Sequence, residues 1–381
     1  MILVFAVLFG YALIDMQTSS VTGNRDADRS LTHLLLVLLI GIHIVYFLFD
    51  IVIKGKVICF YTMAVCLFIT IWITIVDLMR GAEAWAMLTH CGLSVLWFLS
   101  YYYFFASFNA KASSKLLFNL LFLLFALYSV ATVYYVRLLF GIRRYGVSNL
   151  SYNVLVIFPW FFINTSERKR LSLIIVSAVV IAISMKRGAI IAFLIMMLFY
   201  LYTKGKIEEK AAKYLFLFII SCLVFAGVFF VANRFLRGRL VLRFSLEQLQ
   251  EGSGRREMYQ YIISLIRQRN LVDLLIGLGS GASVQAWGTG AHNEWLEFTF
   301  SFGLVGALLY LWLVITLIKA TVRYKRNASK AYIPAAMSLI YMLTVGMVGG
   351  IYFMQSSYFI FALQGYLNAY FKEECNLRRK I

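Results

Sequence analysis

The sequence predicts an all-α polytopic membrane protein. Three observations carry that reading. Hydrophobic residues make up 62% of the chain and charged residues only 14%, against roughly 25% charged in soluble domains. Apolar runs of about 15–25 residues recur along the chain. Only two prolines interrupt them in 381 residues. Lipid offers no partner to backbone N–H and C=O groups, so such runs must be helices.

About twelve spans are expected, near residues 1–16, 31–53, 57–79, 86–108, 116–140, 149–163, 171–185, 188–203, 214–233, 292–318, 331–350 and 352–371. The first lacks a basic leader and a small-residue cleavage site, so it reads as a retained helix and not a removed signal peptide. The sixth contains Pro159 and is expected to break or tilt. The chain therefore divides into helices 1–9 at 1–233, a long polar loop at 234–291, and helices 10–12 with a tail at 292–381. A connection of that length is functional or disordered. Its composition favours function: Met258, Ile262, Leu265 and Ile266 recur at helical spacing, predicting an amphipathic helix over 255–270. A short apolar run, 272–276, and the glycine cluster Gly277-Leu278-Gly279-Ser280-Gly281 follow.

The formal net charge is +19. With no aromatic–basic nucleic-acid motif, it is assigned to positive-inside bias and contact with anionic lipids, and no nucleic-acid partner is expected. With both termini inside, the expected cytoplasmic loops hold 14 of the 15 lysines, and the opposite face holds 15 of the 21 arginines. Arginine presents a planar fork that matches phosphate oxygens. An anionic substrate on the outer face accounts for that excess better than headgroup contacts alone. The five cysteines form no C-x-x-C pair and mostly fall in apolar runs, so they read as small buried hydrophobes.

Three motifs could carry chemistry. Met185-Lys186-Arg187-Gly188-Ala189 puts two cations between apolar runs, where charge is costly and usually functional or paired; snorkelling to water is the plainer reading. Gly252-Ser253-Gly254-Arg255-Arg256-Glu257 opens the loop helix. Two arginines in a first turn oppose the helix dipole, and a bound anion would resolve the conflict; solvation or lipid pairing is the alternative. Ala291-His292-Asn293-Glu294-Trp295-Leu296-Glu297 runs from the loop into the tenth span. His292 could accept a hydroxyl proton near neutral pH, with Glu294 and Glu297 as rival bases or orienting groups and Asn293 in a positioning role; a helix-end hydrogen-bonding role for His292 stands beside this. The glycine cluster lacks the lysine of a nucleotide loop and reads as a turn allowing close backbone approach to a ligand or another helix, with plain flexibility an equal alternative. No metal-ligand motif is present, and His33, His43 and His90 are lone residues in or near apolar spans.

In order, K-R-G-A at a helix start, G-S-G-R-R-E-M-Y in a long loop, a G-x-G turn, and A-H-N-E-W-L-E running into F-G-L-V-G resemble the O-antigen ligase/polymerase superfamily of bacterial membrane glycosyltransferases. The resemblance covers about residues 180–318. It implies a GT-C-type fold with about twelve transmembrane helices, in the inner membrane. It implies a polyprenyl (undecaprenyl) diphosphate-linked oligosaccharide donor at the outer, periplasmic face, and catalysis without metal or other cofactor. By motif, Arg187 matches the family arginine at the helix start, Arg255 the loop arginine and His292 the histidine of the H-N pair. Arg256 and Lys186 join Arg187 and Arg255 as diphosphate-binding candidates; Lys186 departs from the small residue many members carry. The reading is a polysaccharide polymerase extending repeat units on the carrier lipid. A ligase passing finished glycan to lipid A-core or another acceptor is the alternative, and a lipid-linked glycan flippase a more distant one. A chain-length regulator or a flippase is a candidate protein partner.

Overall fold

The computed structural model describes residues 1–18, 25–55, 60–108, 113–142, 149–163, 165–235, 238, 241–242, 245, 254–349 and 357–379. These residues are helical, with no strand among them. The helices are α1 (Ile2–Thr18), α2 (Arg25–Lys54), α3 (Tyr61–Arg80), α4 (Ala84–Ala106), α5 (Ser113–Ile142), α6 (Leu150–Ile157), α7 (Glu167–Ile183), α8 (Arg187–Ile207) and α9 (Ala211–Phe235). Beyond the loop come α10 (Arg255–Arg267), α11 (Leu271–Ile276), α12 (Ala282–Trp287), α13 (Glu294–Arg326), α14 (Tyr332–Val348) and α15 (Ser357–Arg378). Among the described residues, five helical stretches are long and apolar enough to cross a membrane: Ser30–Lys54, Tyr61–Arg80, Lys115–Tyr134, Arg187–Ile207 and Glu294–Arg326. Shorter apolar helices occupy Ile2–Ile14, Leu150–Phe162 and Tyr332–Val348. At Pro159 the sixth expected span changes from α-helix to a 3₁₀ turn, Phe158–Phe162, because proline cannot donate to the α-helical ladder.

The centre of the bundle is α15 against α4. A Cβ at Gly365 would lie 2.1 Å from the Tyr101 carbonyl oxygen, so only glycine permits this approach. Trp97 donates to Ser357 Oγ at 2.8 Å and stacks on Phe361. Buried Asn368 donates to Tyr101 Oη at 2.9 Å and accepts from Arg323 at 3.0 Å, which satisfies its amide inside the bundle.

The most consequential irregularity is in α13. Gly303 has φ 69° and ψ −173°, so the helix breaks there into 294–302 and 304–326. A break frees carbonyls that the ladder would have used. Each has a replacement donor: Arg269 Nη1 to Phe300 O at 2.9 Å, Gly279 N–H to Ser301 O at 2.8 Å, and Trp72 Nε1 to Phe302 O at 2.9 Å. The glycine-rich turn is therefore pressed against the break, backbone on backbone. A Cβ at Gly277 (φ 90°) would sit 2.4 Å from Ser301 O, and one at Gly303 would sit 2.2 Å from Leu275 O. The expected close approach of the glycine cluster is to another helix.

Two further contacts seat the loop on α3. Buried Asp77 accepts from Ser280 N–H and Oγ, both at 2.7 Å. Arg80 pairs with Asp273, and Asn270 caps α11 by accepting from Asp273 N–H at 2.8 Å. The predicted amphipathic helix is α10. Met258 and Ile262, four residues apart, bury with Ala282, Ala291 and Phe300 in a small core separate from the main one.

Replacing Gly277 by alanine should cost on the order of 2–5 kcal/mol, from left-handed strain plus overpacking. Gly288 has a similar φ of 83° but open space around its missing side chain. Gly288→Ala should cost only about 1–2 kcal/mol. Thermal unfolding of both variants in one detergent checks the difference; equal losses would show that the turn is not packed on the break.

Candidate functional site

The A-H-N-E-W-L-E motif is a helix start built to present one residue. Asn293 is the N-cap of α13: its side chain accepts from Leu296 N–H at 3.1 Å. Its amide nitrogen donates to Met347 O at 3.3 Å, on the last turn of α14. On the other flank, the N–H of fully buried Ala291 donates to Glu297 Oε2 at 2.8 Å. His292 lies between these two fixed points with φ 49°, a left-handed conformation that costs a side-chain-bearing residue roughly 1–2 kcal/mol. Its carbonyl is held by Tyr259 Oη at 3.1 Å. The residue is exposed.

The two carboxylates differ. Glu297 is buried, and three groups donate to it: Ser283 Oγ to both oxygens at 2.8 and 2.7 Å, Ser301 Oγ at 2.7 Å, and the Ala291 N–H. It thereby ties α12, the loop and α13 together. Glu294 is also buried, 1% exposed, at the contact with α14. A Cβ at Gly346 would meet its Oε2 at 3.4 Å and the Tyr310 hydroxyl at 3.7 Å.

Facing this start is the start of α8. Met185 is left-handed (φ 52°) and Lys186 extended, turning the chain sharply before Arg187. Gly188 is required by packing: a Cβ there would lie 2.4 Å from Tyr152 Oη and 2.7 Å from Val348 Cγ2. Lys186 Nζ lies 5.4 Å from the centre of the Tyr152 ring, a cation–π contact.

The loop helix closes the arrangement. Gly254 is the left-handed N-cap of α10, and Gly252 and Ser253 of the same motif lie outside the described residues. Arg255 donates to Val348 O, at the end of α14 where unpaired carbonyls and the dipole favour a cation. Arg256 is exposed. The last turn of α14 is thus a common anchor: Met347 accepts from Asn293, Val348 accepts from Arg255 and packs on Gly188. Arg187 lies close enough to Arg255 for their charges to repel. Arg255 and Lys186 both act on His292. Arg255 has no carboxylate partner among the described residues. The structure therefore brings Lys186, Arg187, Arg255 and His292 together, with Asn293 as their support, while Arg256 is exposed and Glu294 and Glu297 are buried.

Cations gathered this closely make a positive surface that attracts an anion. The His292 pKa is held below its ordinary 6.5 first by burial, although the residue keeps exposed surface, and then by Arg255 and Lys186. Its neutral, proton-accepting form therefore persists into mildly acidic solution. Among the described residues no group of three or more His, Cys, Asp or Glu could hold a metal ion. His33 and His43 are engaged with Thr89, Leu39 and Tyr358, away from this site.

Residues 171–311 match the model of a protein family described as O-antigen ligase. That match supports the O-antigen ligase/polymerase superfamily for this chain. The matched segment runs from α7 into the second half of α13 and contains every motif of the site. No curated protein matches the chain. At a coarse level the match supports an enzyme of glycan transfer, with lipid-linked and acceptor glycans as the general substrate class.

Tyr152, Met347 and Val348 were not singled out in the sequence. Tyr152 Oη is buried and has no hydrogen-bond partner among the described residues, directly beneath the Lys186–Gly188 turn. Met347 and Val348 meet Asn293 and Arg255 through backbone oxygens, which side-chain patterns do not reveal.

Glu297→Ala should leave Ala291 N–H, Ser283 and Ser301 without their shared acceptor and destabilise the protein by roughly 2–4 kcal/mol. His292→Asn should stay within about 1 kcal/mol of the parent, because asparagine tolerates the left-handed conformation. Unfolding midpoints of the two variants check this; a large loss in His292→Asn would make the histidine structural.

Proposed function

We propose that this protein is a membrane glycosyltransferase that uses a polyprenyl-diphosphate-linked glycan donor and polymerises surface-polysaccharide repeat units. The observation that carries the proposal is the convergence of Arg187, Arg255, Lys186 and His292 at one end of α8, α13 and α14. In the reaction, an acceptor sugar hydroxyl attacks the anomeric carbon of the donor. The bond from that carbon to the diphosphate oxygen breaks, and polyprenyl diphosphate leaves with the electron pair. Direct displacement inverts the anomeric carbon. Negative charge grows on the diphosphate, and Arg187 and Arg255 supply fixed donors for it, with Lys186 adding charge. His292 takes the hydroxyl proton: the residue is exposed and biased towards neutrality. Glu297 holds the loop, Glu294 supports the α13–α14 contact, and Asn293 positions His292. Arg256 serves the incoming lipid or glycan at the surface.

The proposal extends to twelve spans in a GT-C-type arrangement in the inner membrane, with cytoplasmic termini and a periplasmic site. Lysine sidedness supports that orientation. The chemistry assigned to the site uses side chains alone. The description of the matched family favours a second reading, ligation of finished glycan to lipid A-core or another acceptor. Both share the donor half-reaction, so the products of a deletion strain separate them. Single repeats attached to the final acceptor indicate a polymerase, whereas long glycan accumulating on the carrier lipid indicates a ligase.

Given lipid-linked repeat units, purified protein should release polyprenyl diphosphate. Arg187→Ala should slow that release about 10²–10³-fold, the typical effect of losing one preorganised donor. His292→Asn should slow it about 10²–10⁴-fold. The acid limb of kcat/KM should lie below 6.5, because the free enzyme needs neutral His292 and its pKa is lowered. A limb well above that value, or full activity in His292→Asn, would remove the histidine from proton transfer.

A further inference from the structure

A second cationic site lies at the other end of the same helices. Arg187, Glu294 and Val348 mark the ends of α8, α13 and α14 at the candidate active site. Their opposite ends, together with the first turn of α7, enclose a cavity of about 730 Å³. The 21-residue α8 alone separates the two by about 30 Å, the thickness of the hydrocarbon core. The two sites therefore face opposite surfaces of the membrane.

Five cations line the cavity, namely Arg170, Lys204, Lys206, Lys325 and Lys330, and no acidic residue is among its walls. Two nearby carboxylates are already engaged. Glu208 pairs with Lys204 at 3.0 Å and accepts from Tyr214 at 2.6 Å, and Glu374 accepts from Ser329. Lys206, Lys325 and Lys330 have no carboxylate partner among the described residues. Arg170 is held in place by Thr165 O at 2.9 Å and Tyr200 Oη at 3.2 Å, while its Nε is buried without a partner. A fixed guanidinium with an unused buried donor, facing three lysines, is a set of contacts waiting for an anion with several oxygens. The volume suits a small organic ligand better than a lone ion.

We infer that this cavity binds the phosphate-bearing headgroup of an anionic membrane lipid. A lipid is favoured over a soluble phosphate compound by the rim. Tyr202 and Ile207 line the cavity and are 69% and 62% exposed, so an acyl chain leaving the cavity would cover apolar surface that water would otherwise meet. Tyrosine and lysine together are the residues that settle at the membrane–water boundary and meet anionic headgroups.

The test is thermal unfolding of the full chain in neutral detergent, titrated separately with short-chain phosphatidylglycerol, short-chain phosphatidylcholine and inorganic phosphate. Phosphatidylglycerol should raise the midpoint saturably and phosphatidylcholine should not. Lys325→Gln with Lys330→Gln should raise the half-saturating concentration more than about tenfold. Lys325→Arg with Lys330→Arg should restore it, and each single glutamine variant should fall between, which keeps the test usable if the double variant does not fold. Equal effects of the two lipids, or an unchanged phosphatidylglycerol response in the folded glutamine variants, would overturn the site. A full shift with inorganic phosphate alone would overturn the lipid assignment.

Discussion

A helix broken inside a membrane protein must find other partners for the carbonyls it frees, and this constraint organises the molecule. At Gly303 the ladder of α13 stops. Arg269, the Gly279 N–H and Trp72 take the three exposed carbonyls. Two of those donors belong to the loop, so satisfying the break and docking the loop are one event. Unpaired groups would each cost several kcal/mol in an apolar medium. Asp77 and Arg80 then fix the docked turn on α3 through Ser280 and Asp273. The loop that sequence composition marks as the functional part is thereby a rigid extension of the bundle.

The site inherits its geometry from that docking. The half-helix 294–302 starts where Asn293 caps it and Glu297 reaches back to Ala291. Between those anchors His292 is held in a conformation it would not choose alone. Arg255 and Asn293 both terminate on the last turn of α14, whose packing on Gly188 brings the start of α8 alongside. Backbone carbonyls at a helix end thus organise the cations, and the cations are left facing one another. Such a cluster attracts an anion. At the far end of the same helices a lysine-dominated cavity repeats that electrostatic logic. The arginine and lysine sets therefore lie on opposite surfaces of one helical frame.

Much of this was legible in the sequence because lipid leaves so few choices. Apolar runs had to be helices, and the expected spans from 31–53 to 331–350 overlap helices closely. The amphipathic spacing of Met258 and Ile262 and the break at Pro159 were equally visible, since each depends on local residues. The three site motifs converge in space as well. What sequence reading missed depends on tertiary contact. Gly303 breaks the helix and no neighbouring residue in the sequence marks it, because its φ is set by the loop pressed against it. Glu297 looked like a possible base; only the fold reveals Ser283, Ser301 and the Ala291 N–H around it. Arg255 and Arg256 are neighbours in sequence, but only the fold reveals that Arg255 reaches Val348 O while Arg256 is exposed. The cavity near Lys325 joins residues from three separate loops, none distinctive alone.

The central claim is that Arg187 and Arg255 act together on one leaving diphosphate. A double-mutant cycle on the rate of polyprenyl diphosphate release tests it most directly. Arg187→Ala, Arg255→Ala and the double variant would be compared under single-turnover conditions, with unfolding midpoints confirming that each is folded. If both arginines hold the same group, the double variant should lose little more than the worse single variant. Losses that multiply independently would place the two arginines on separate tasks and contradict the account.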